Sequence, residues 1–277
     1  MQAQLSPEIS IVVPVFDEEG AAPALAREIA AAFAGQAYEL IFVDDASRDA
    51  TRAALAGLAA EIPALRVLAH ARNAGQSRAI RTGVLAARAP IVVTLDGDGQ
   101  NDPADAPRLA LHLRGGPPGL GLVGGVRVKR QDSRAKRIAS RLANGIRQGL
   151  LKDTAADTGC GLKAFRREAF LRLPYFDHIH RFLPALMLRE GYEVAFEPVG
   201  HRARQAGRSK YTNLGRLWAS VSDLWGVVWL NSRARSPGEV TEAASGEGRE
   251  QSRDDDQVDG VHQDEHGGSG GTRLARR

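Results

Sequence analysis

Residues 9–128 alternate between two hydrophobic rhythms, and this alternation limits the fold more than any other feature of the chain. Short runs rich in Val, Ile, Leu and Phe at 9–16, 38–45, 66–71, 90–96 and 121–128 read as strands. Between them, stretches near 19–34, 50–60, 76–88 and 104–113 carry apolar residues at helical spacing. Strands separated by single helices imply right-handed βαβ units and a mostly parallel, twisted sheet flanked by helices, an α/β fold. Beyond this frame the pattern predicts a helix at 134–151, a strand at 161–165, a helix at 181–190, a strand at 192–202 and a last helix at 214–230. No internal repeat is present.

The chain of 277 residues is long enough for one large domain or two small ones, with a real core. After residue 230 the character changes: 231–277 hold no Phe, Trp, Tyr or Ile and are crowded with Gly, Ser, Glu and Asp. Such a segment buries too little apolar surface to offset its ordering entropy, so a disordered polar tail is expected. Residues 1–230 then carry 30 basic against 23 acidic side chains, a balance suited to an anionic substrate or an anionic membrane surface. Cys160 is the single cysteine; an intrachain disulfide is impossible and a reducing compartment is expected. The opening residues show no basic stretch followed by an apolar one, and no run approaches the length of a spanning helix. The expectation is a cytoplasmic chain, soluble or peripheral on the membrane.

Ligands of open α/β sheets sit at the carboxyl ends of the strands, and four strand or helix junctions here carry chemistry-bearing residues. Strand 90–96 ends in Asp96-Gly97-Asp98-Gly99-Gln100. Two carboxylates two residues apart point to one side of extended backbone and repel unless a cation or donors lie between them. A hard divalent ion completed by phosphate oxygens answers that need; a solvated turn is the plain alternative. The first strand leads into Pro14-Val15-Phe16-Asp17-Glu18-Glu19, where the acids also suit a helix start. The second leads into Asp44-Asp45-Ala46-Ser47-Arg48-Asp49; Ser47 or Asp49 suits an N-cap, whereas the Asp pair lies too early for capping. Arg72-Asn73-Ala74-Gly75-Gln76 opens the third helix, a turn in which backbone amides can approach a phosphate.

Taken in this order, these motifs resemble glycosyltransferase family 2 and its nucleotide-sugar-binding GT-A fold. The block Asp157-Thr158-Gly159-Cys160-Gly161-Leu162-Lys163 resembles the one preceding the acceptor side, and His180-Arg181-Phe182-Leu183-Pro184 and His201–Tyr211 resemble the polyprenyl-phosphate branch, which includes dolichol-phosphate mannosyltransferase. The resemblance covers about 9–230 and implies a nucleotide-sugar-binding half at 9–128 and an acceptor half at 129–230. It implies a donor that is a nucleotide-diphosphate sugar, an acceptor that is a polyprenyl phosphate, and Mg²⁺ or Mn²⁺ at Asp96 and Asp98. Pro14, Phe16 and Glu18 would line the nucleobase pocket, Asp45 would sit close to the nucleoside with Asn73 beside it, and Gln100 would lie near the metal. Arg127 and Arg130 would face phosphate, and Arg202, Arg204, Ser209 and Lys210 would meet phosphate oxygens of donor or acceptor. Three departures stand out. Asp17 replaces a common Asn, implying altered base contacts; Gly97 and Gly99 replace Ala and Leu, implying a looser metal loop; and the C-terminal membrane helices of some relatives have no counterpart.

The implied chemistry follows from charge. Cleaving the bond from anomeric carbon to phosphate leaves a nucleoside diphosphate whose growing charge a divalent ion and arginines stabilise. A phosphate acceptor is already largely anionic near neutral pH and needs no strong base; direct attack from the opposite face inverts the anomeric centre. A hydroxyl acceptor on a growing glycan needs a base, for which Asp157 is the candidate. A non-catalytic nucleotide-sugar-binding module is a further reading. A nucleotidyltransferase lacks support, since no glycine-rich loop with Arg follows the first strand.

Other features read more plainly. Cys160 has no local His and suits a packing role better than a nucleophile. The pairs His178/His180 and His262/His266 lack a third metal ligand. The basic run from Arg127 to Arg141 has no interleaved aromatics, which argues against nucleic acid. Trp218, Trp225 and Trp229 share one helix face, suited either to a membrane interface or to the core.

Overall fold

The computed structural model describes residues 6–128, 145, 147–151, 153, 155, 157–202 and 213–235, the last with side chains from 221 onward. Seven strands form one sheet: β1 (Ile9–Val15), β2 (Tyr38–Asp44), β3 (Leu65–Ala69), β4 (Ile91–Thr94), β5 (Leu120–Arg127), β6 (Lys163–Arg166) and β7 (Glu193–Val199), in the order β3-β2-β1-β4-β6-β5-β7. The helices are α1 (Ala22–Ala32), α2 (Thr51–Ala56), α3 (Gln76–Ala86), α4 (Ala106–Gly115), α5 (Arg167–Arg172), α6 (Leu183–Arg189) and α7 (Asn213–Ser232).

β1 pairs in parallel with β2 and β4, β2 with β3, and β5 with β7. β6 runs antiparallel between β4 and β5. The sheet is therefore mostly parallel, as the alternating pattern requires, with one reversed strand that the pattern does not announce. α5 is also unannounced, because six residues are too few to show a helical period. Of the helix expected at 134–151, only 145 and 147–151 are described, and they are helical. The tail falls outside the described residues apart from 231–235.

β1 is buried along its whole length because helices cover both faces of the sheet. Ile9, Ile11, Val13 and Val15 pack with Leu25, Ile29 and Phe33 of the α1 region and with Leu109 and Leu113 of α4. Val12 points the other way, into a layer with Ile41, Val43, Ile80, Val84, Phe170 and Leu186. Each such side chain contributes about 1.5–3 kcal/mol on burial. α3 crosses β1 closely at Gly83, where a Cβ would overlap Val12 Cγ1. This crossing aims the first turn of α3 at the carboxyl ends of β1 and β4.

Candidate active site

Those strand ends open into a cavity of about 580 Å³, a volume typical of small-molecule sites. Its lining gathers Pro14, Phe16 and Glu18 from beyond β1, Asp45 from beyond β2, Asn73 from the turn before α3, Asp96, Asp98 and Gln100 from beyond β4, and Arg127 from the end of β5. Gln76, Lys163, His180 and Arg181 line it too, although the sequence argument gives them no role.

The Asp96–Gln100 loop is held by backbone as much as by side chains. Asp96 N–H donates to Asn101 Oδ1 at 3.0 Å, and Gln100 N–H donates to Asp98 Oδ1 at 3.1 Å. A Cβ on Gly97 would stand 2.6 Å from the Pro14 carbonyl oxygen and from Val15 Cγ1. Gly99 has φ +73°, a region closed to most side chains. A Cβ on Gly161 would overlap the Asp96 carboxyl. The glycines thus mark close approach and a left-handed turn, which corrects the expectation that they loosen the loop.

Burial, together with the charge of Asp98, pushes the Asp96 carboxyl up to about 6, despite the opposing pull of Lys163, Arg127 and the Gln76 amide. Gln76 Nε2 donates to Asp96 Oδ1 at 2.8 Å. Lys163, on β6, is buried, its Nζ donating to the Cys160 carbonyl, and burial lowers its pKa. His180 is driven down to about 3 by burial and by Lys163, Arg181 and His178, so it is neutral. Its Nδ1 meets Ser77 Oγ at 2.7 Å. A charged residue inside the apolar run Gly161–Phe165 was the sequence signal for Lys163; Gln76 and His180 stand in stretches the sequence singled out, but without a role of their own.

The donor set suits a hard divalent cation. Asp96 and Asp98 offer oxygen only, and burial, with the Asp98 charge added, disfavours a bare Asp96 carboxylate. Among the described residues no three His, Cys, Asp or Glu side chains converge on a point. A cation here would therefore take its remaining ligands from diphosphate or water. His178 and His180 do not form a metal pair with a third ligand: His178 Nδ1 is bound to Asp223 at 2.8 Å and His180 Nδ1 to Ser77.

Several expected residues do something else. Asp45 lines the cavity, but its carboxylate is occupied by the Ala74 and Gly75 N–H groups, both at 2.8 Å, and by His70 Nδ1 at 2.7 Å. It builds the turn before α3. Asp17 is absent from the lining; it adopts φ +51° and accepts Arg48 N–H at 2.7 Å, so it contributes to the turn. Ser47 accepts Asp17 N–H, whereas Asp49 accepts Thr51 N–H at the start of α2. Asp157 is buried outside the lining, with Arg127 Nε at 2.6 Å and Nη2 at 2.8 Å from its two oxygens. A carboxylate clamped on both oxygens is poorly placed to act as a general base. Arg202 is also outside the lining, paired with Glu28 and with Asp102 at 2.8 Å. Its N–H nevertheless donates to the Gln100 carbonyl at 2.9 Å, so the chain enters the following basic segment beside the Asp96–Asp98 loop. Arg130, Arg204, Ser209 and Lys210 lie outside the described residues. Cys160 is buried and burial raises its pKa, as a packing residue requires.

On α7, Val227 is buried and Leu224 and Val228 pack against the core, while Trp225 and Trp229 are 62% and 59% exposed. The described tryptophans therefore face outward, which decides against the core alternative; the Trp218 side chain lies outside the described residues. No described helix is long and apolar enough to cross a membrane.

Residues 10–173 match the model of Glycosyl transferase family 2. The chain belongs to glycosyltransferase family 2. It is 34% identical over 237 residues to dodecaprenyl-phosphate galacturonate synthase of Rhizobium johnstonii, covering 83% of this chain and 69% of that protein. It is 36% identical over 212 residues to undecaprenyl-phosphate 4-deoxy-4-formamido-L-arabinose transferase of Enterobacter sp., covering 74% of this chain and 63% of that one. The chain thus spans roughly two thirds of the length of these relatives. Among solved structures, glucosyl-3-phosphoglycerate synthase from Mycobacterium tuberculosis, bound to Mn²⁺, uridine diphosphate and phosphoglyceric acid, aligns with a TM-score of 0.60 at 22% identity over 84% of this chain and 81% of that one. This likeness is one of fold, and the fold of this family 2 chain is the GT-A fold.

Proposed function

We propose that this family 2 chain transfers a sugar from a nucleotide-diphosphate donor to a polyprenyl phosphate at a membrane surface on the cytoplasmic side. The observation that carries the reading is the convergence of Asp96, Asp98 and Arg127 in one cavity at the ends of β4 and β5. Pro14, Phe16 and Glu18 supply the floor for the nucleoside. Asp45 acts indirectly, through the Asn73–Gly75 turn. Asp96 and Asp98 would hold Mg²⁺ or Mn²⁺, which when bound supplies Lewis-acid stabilisation of the leaving diphosphate. Arg127, oriented by Asp157, adds a fixed positive charge beside that leaving group.

The acceptor assignment rests on the names of both relatives and on the basic segment that starts beside Gln100. A lipid phosphate arrives as its own nucleophile, so the protein must place two anions together and has little need of a base. The clamp on Asp157 favours this acceptor over a glycan hydroxyl. Single displacement inverts the anomeric centre. Residues 1–230 form the catalytic domain in this reading, with 231–277 a polar tail. The outward tryptophans of α7 seat the domain on the lipid that carries the acceptor.

The test is incubation with a panel of uridine- and guanosine-linked sugars, divalent metal and polyprenyl phosphate. A sugar-phosphate lipid with inverted linkage by NMR is the expected product. Transfer to soluble glycans alone overturns the acceptor assignment, and loss of no activity on chelation overturns the metal.

A further inference from the structure

The segment that carries His180 and Arg181 into the cavity is anchored on α7. Asp223 Oδ2 accepts from His178 Nδ1 at 2.8 Å. His178 itself has φ +63° and precedes the tight turn Ile179–Arg181. A non-glycine residue in the left-handed region holds that conformation only where surrounding contacts enforce it. From this turn His180 reaches Ser77 Oγ at 2.7 Å, in the first turn of α3, and the adjacent Gln76 donates to Asp96 at 2.8 Å. The helix bearing the exposed Trp225 and Trp229 is therefore joined to Asp96 through one continuous series of contacts.

We propose that Asp223 and His178 are positioning residues: by fixing the 178–181 turn they make the arrangement of His180, Arg181 and the first turn of α3 depend on how α7 is seated. This inference rests on the reading of α7 as the membrane-facing helix and adds to it a consequence for the site. Seating the tryptophans in a lipid surface holds α7 in one position; Asp223 passes that restraint to His178, and the cavity wall tightens. His178 occupies the joint because it combines a left-handed backbone with a side chain that donates to α7. Gln76 lies at the far end, where a small change in its amide alters the orientation of the Asp96 carboxylate.

Hydrogen–deuterium exchange of the full chain, with and without vesicles of phosphatidylglycerol and phosphatidylcholine, tests this directly. Vesicles are expected to slow exchange of amides in 176–183 about tenfold in the unaltered protein, a local stabilisation within the usual range of sub-global opening. Asp223→Ala should still float with the vesicles but lose the slowing, and Asp223→Asn, which can still accept from His178, should restore it. His178→Gly removes the side chain while suiting the left-handed backbone; it should behave like Asp223→Ala even if that variant folds poorly. Retention of the slowing in either Asp223→Ala or His178→Gly overturns the coupling, as does its absence in unaltered protein bound to vesicles. Failure of the unaltered protein to bind vesicles removes the membrane reading itself, and the proposal falls with it.

Discussion

Protonation of Asp96 and binding of a cation there would compete, so pH governs the site in the proposed reading. Its carboxyl is raised from 3.8 to about 6 by burial and by Asp98. Between these values the folded metal-free protein keeps a proton that the unfolded chain has lost, so its stability falls as pH rises through this window. A divalent ion competes for the same oxygens. The half-activating Mg²⁺ concentration should therefore rise about tenfold per pH unit below 6, as measured by transfer assays at graded pH; a metal requirement independent of pH would refute this. Asp96→Asn and Asp98→Asn should each lower transfer by roughly 10²–10³ without loss of the folded state by circular dichroism. Asp157 gives a different signature. If it orients Arg127, Asp157→Asn lowers transfer by about tenfold, and adding it to Arg127→Ala costs nothing more, because the two act as one unit. A much larger loss from Asp157→Asn, persisting in the Arg127→Ala background, would return Asp157 to the role of base.

At the scale of elements, α3 connects packing to chemistry. Its middle lies so close to β1 that only glycine fits at 83, where an added Cβ would also lie 3.2 Å from Val43 Cγ2. Helix propensity favours Gly83→Ala by about 1 kcal/mol, but overpacking of a full core costs about 1–3 kcal/mol. The packing cost should prevail, lowering the urea midpoint of unfolding. A rise in that midpoint would show that the helix can withdraw from β1 without penalty. The strands beside it show why the ends of the sheet make a good platform. β1 and β4 are buried throughout, so their carboxyl ends are fixed by core packing rather than by the loops they feed.

The described residues present a polar cavity at the strand ends and an outward aromatic face on α7. Replacing Trp225 and Trp229 together by Ser should reduce binding to phosphatidylglycerol-containing vesicles by about tenfold or more. Thermal stability should change little, because exposed side chains contribute within about 0.5 kcal/mol. Unchanged flotation of a folded double variant would exclude α7 as the membrane contact.

The βαβ order, the seven strands and the carboxylates at the end of β4 were legible in the sequence, because apolar period and abrupt polar strand ends are local properties of the chain. β6 was legible as a strand but not as the reversed one, since direction depends on which neighbours it meets. The outward face of Trp225 and Trp229 was undetermined, because periodicity groups residues on a face without saying what covers it. Asp157 was the candidate base for a hydroxyl acceptor, and the sequence could not show that Arg127, thirty residues earlier, meets both its oxygens. The pKa values of Lys163 and His180 are depressed by burial, and that of His180 also by neighbouring positive charge, conditions that exist only in the assembled wall. Sequence by itself determined the family, the frame and the acidic pair; the tertiary structure decided which polar groups remain available in the cavity, because pairing and desolvation arise only when distant segments meet.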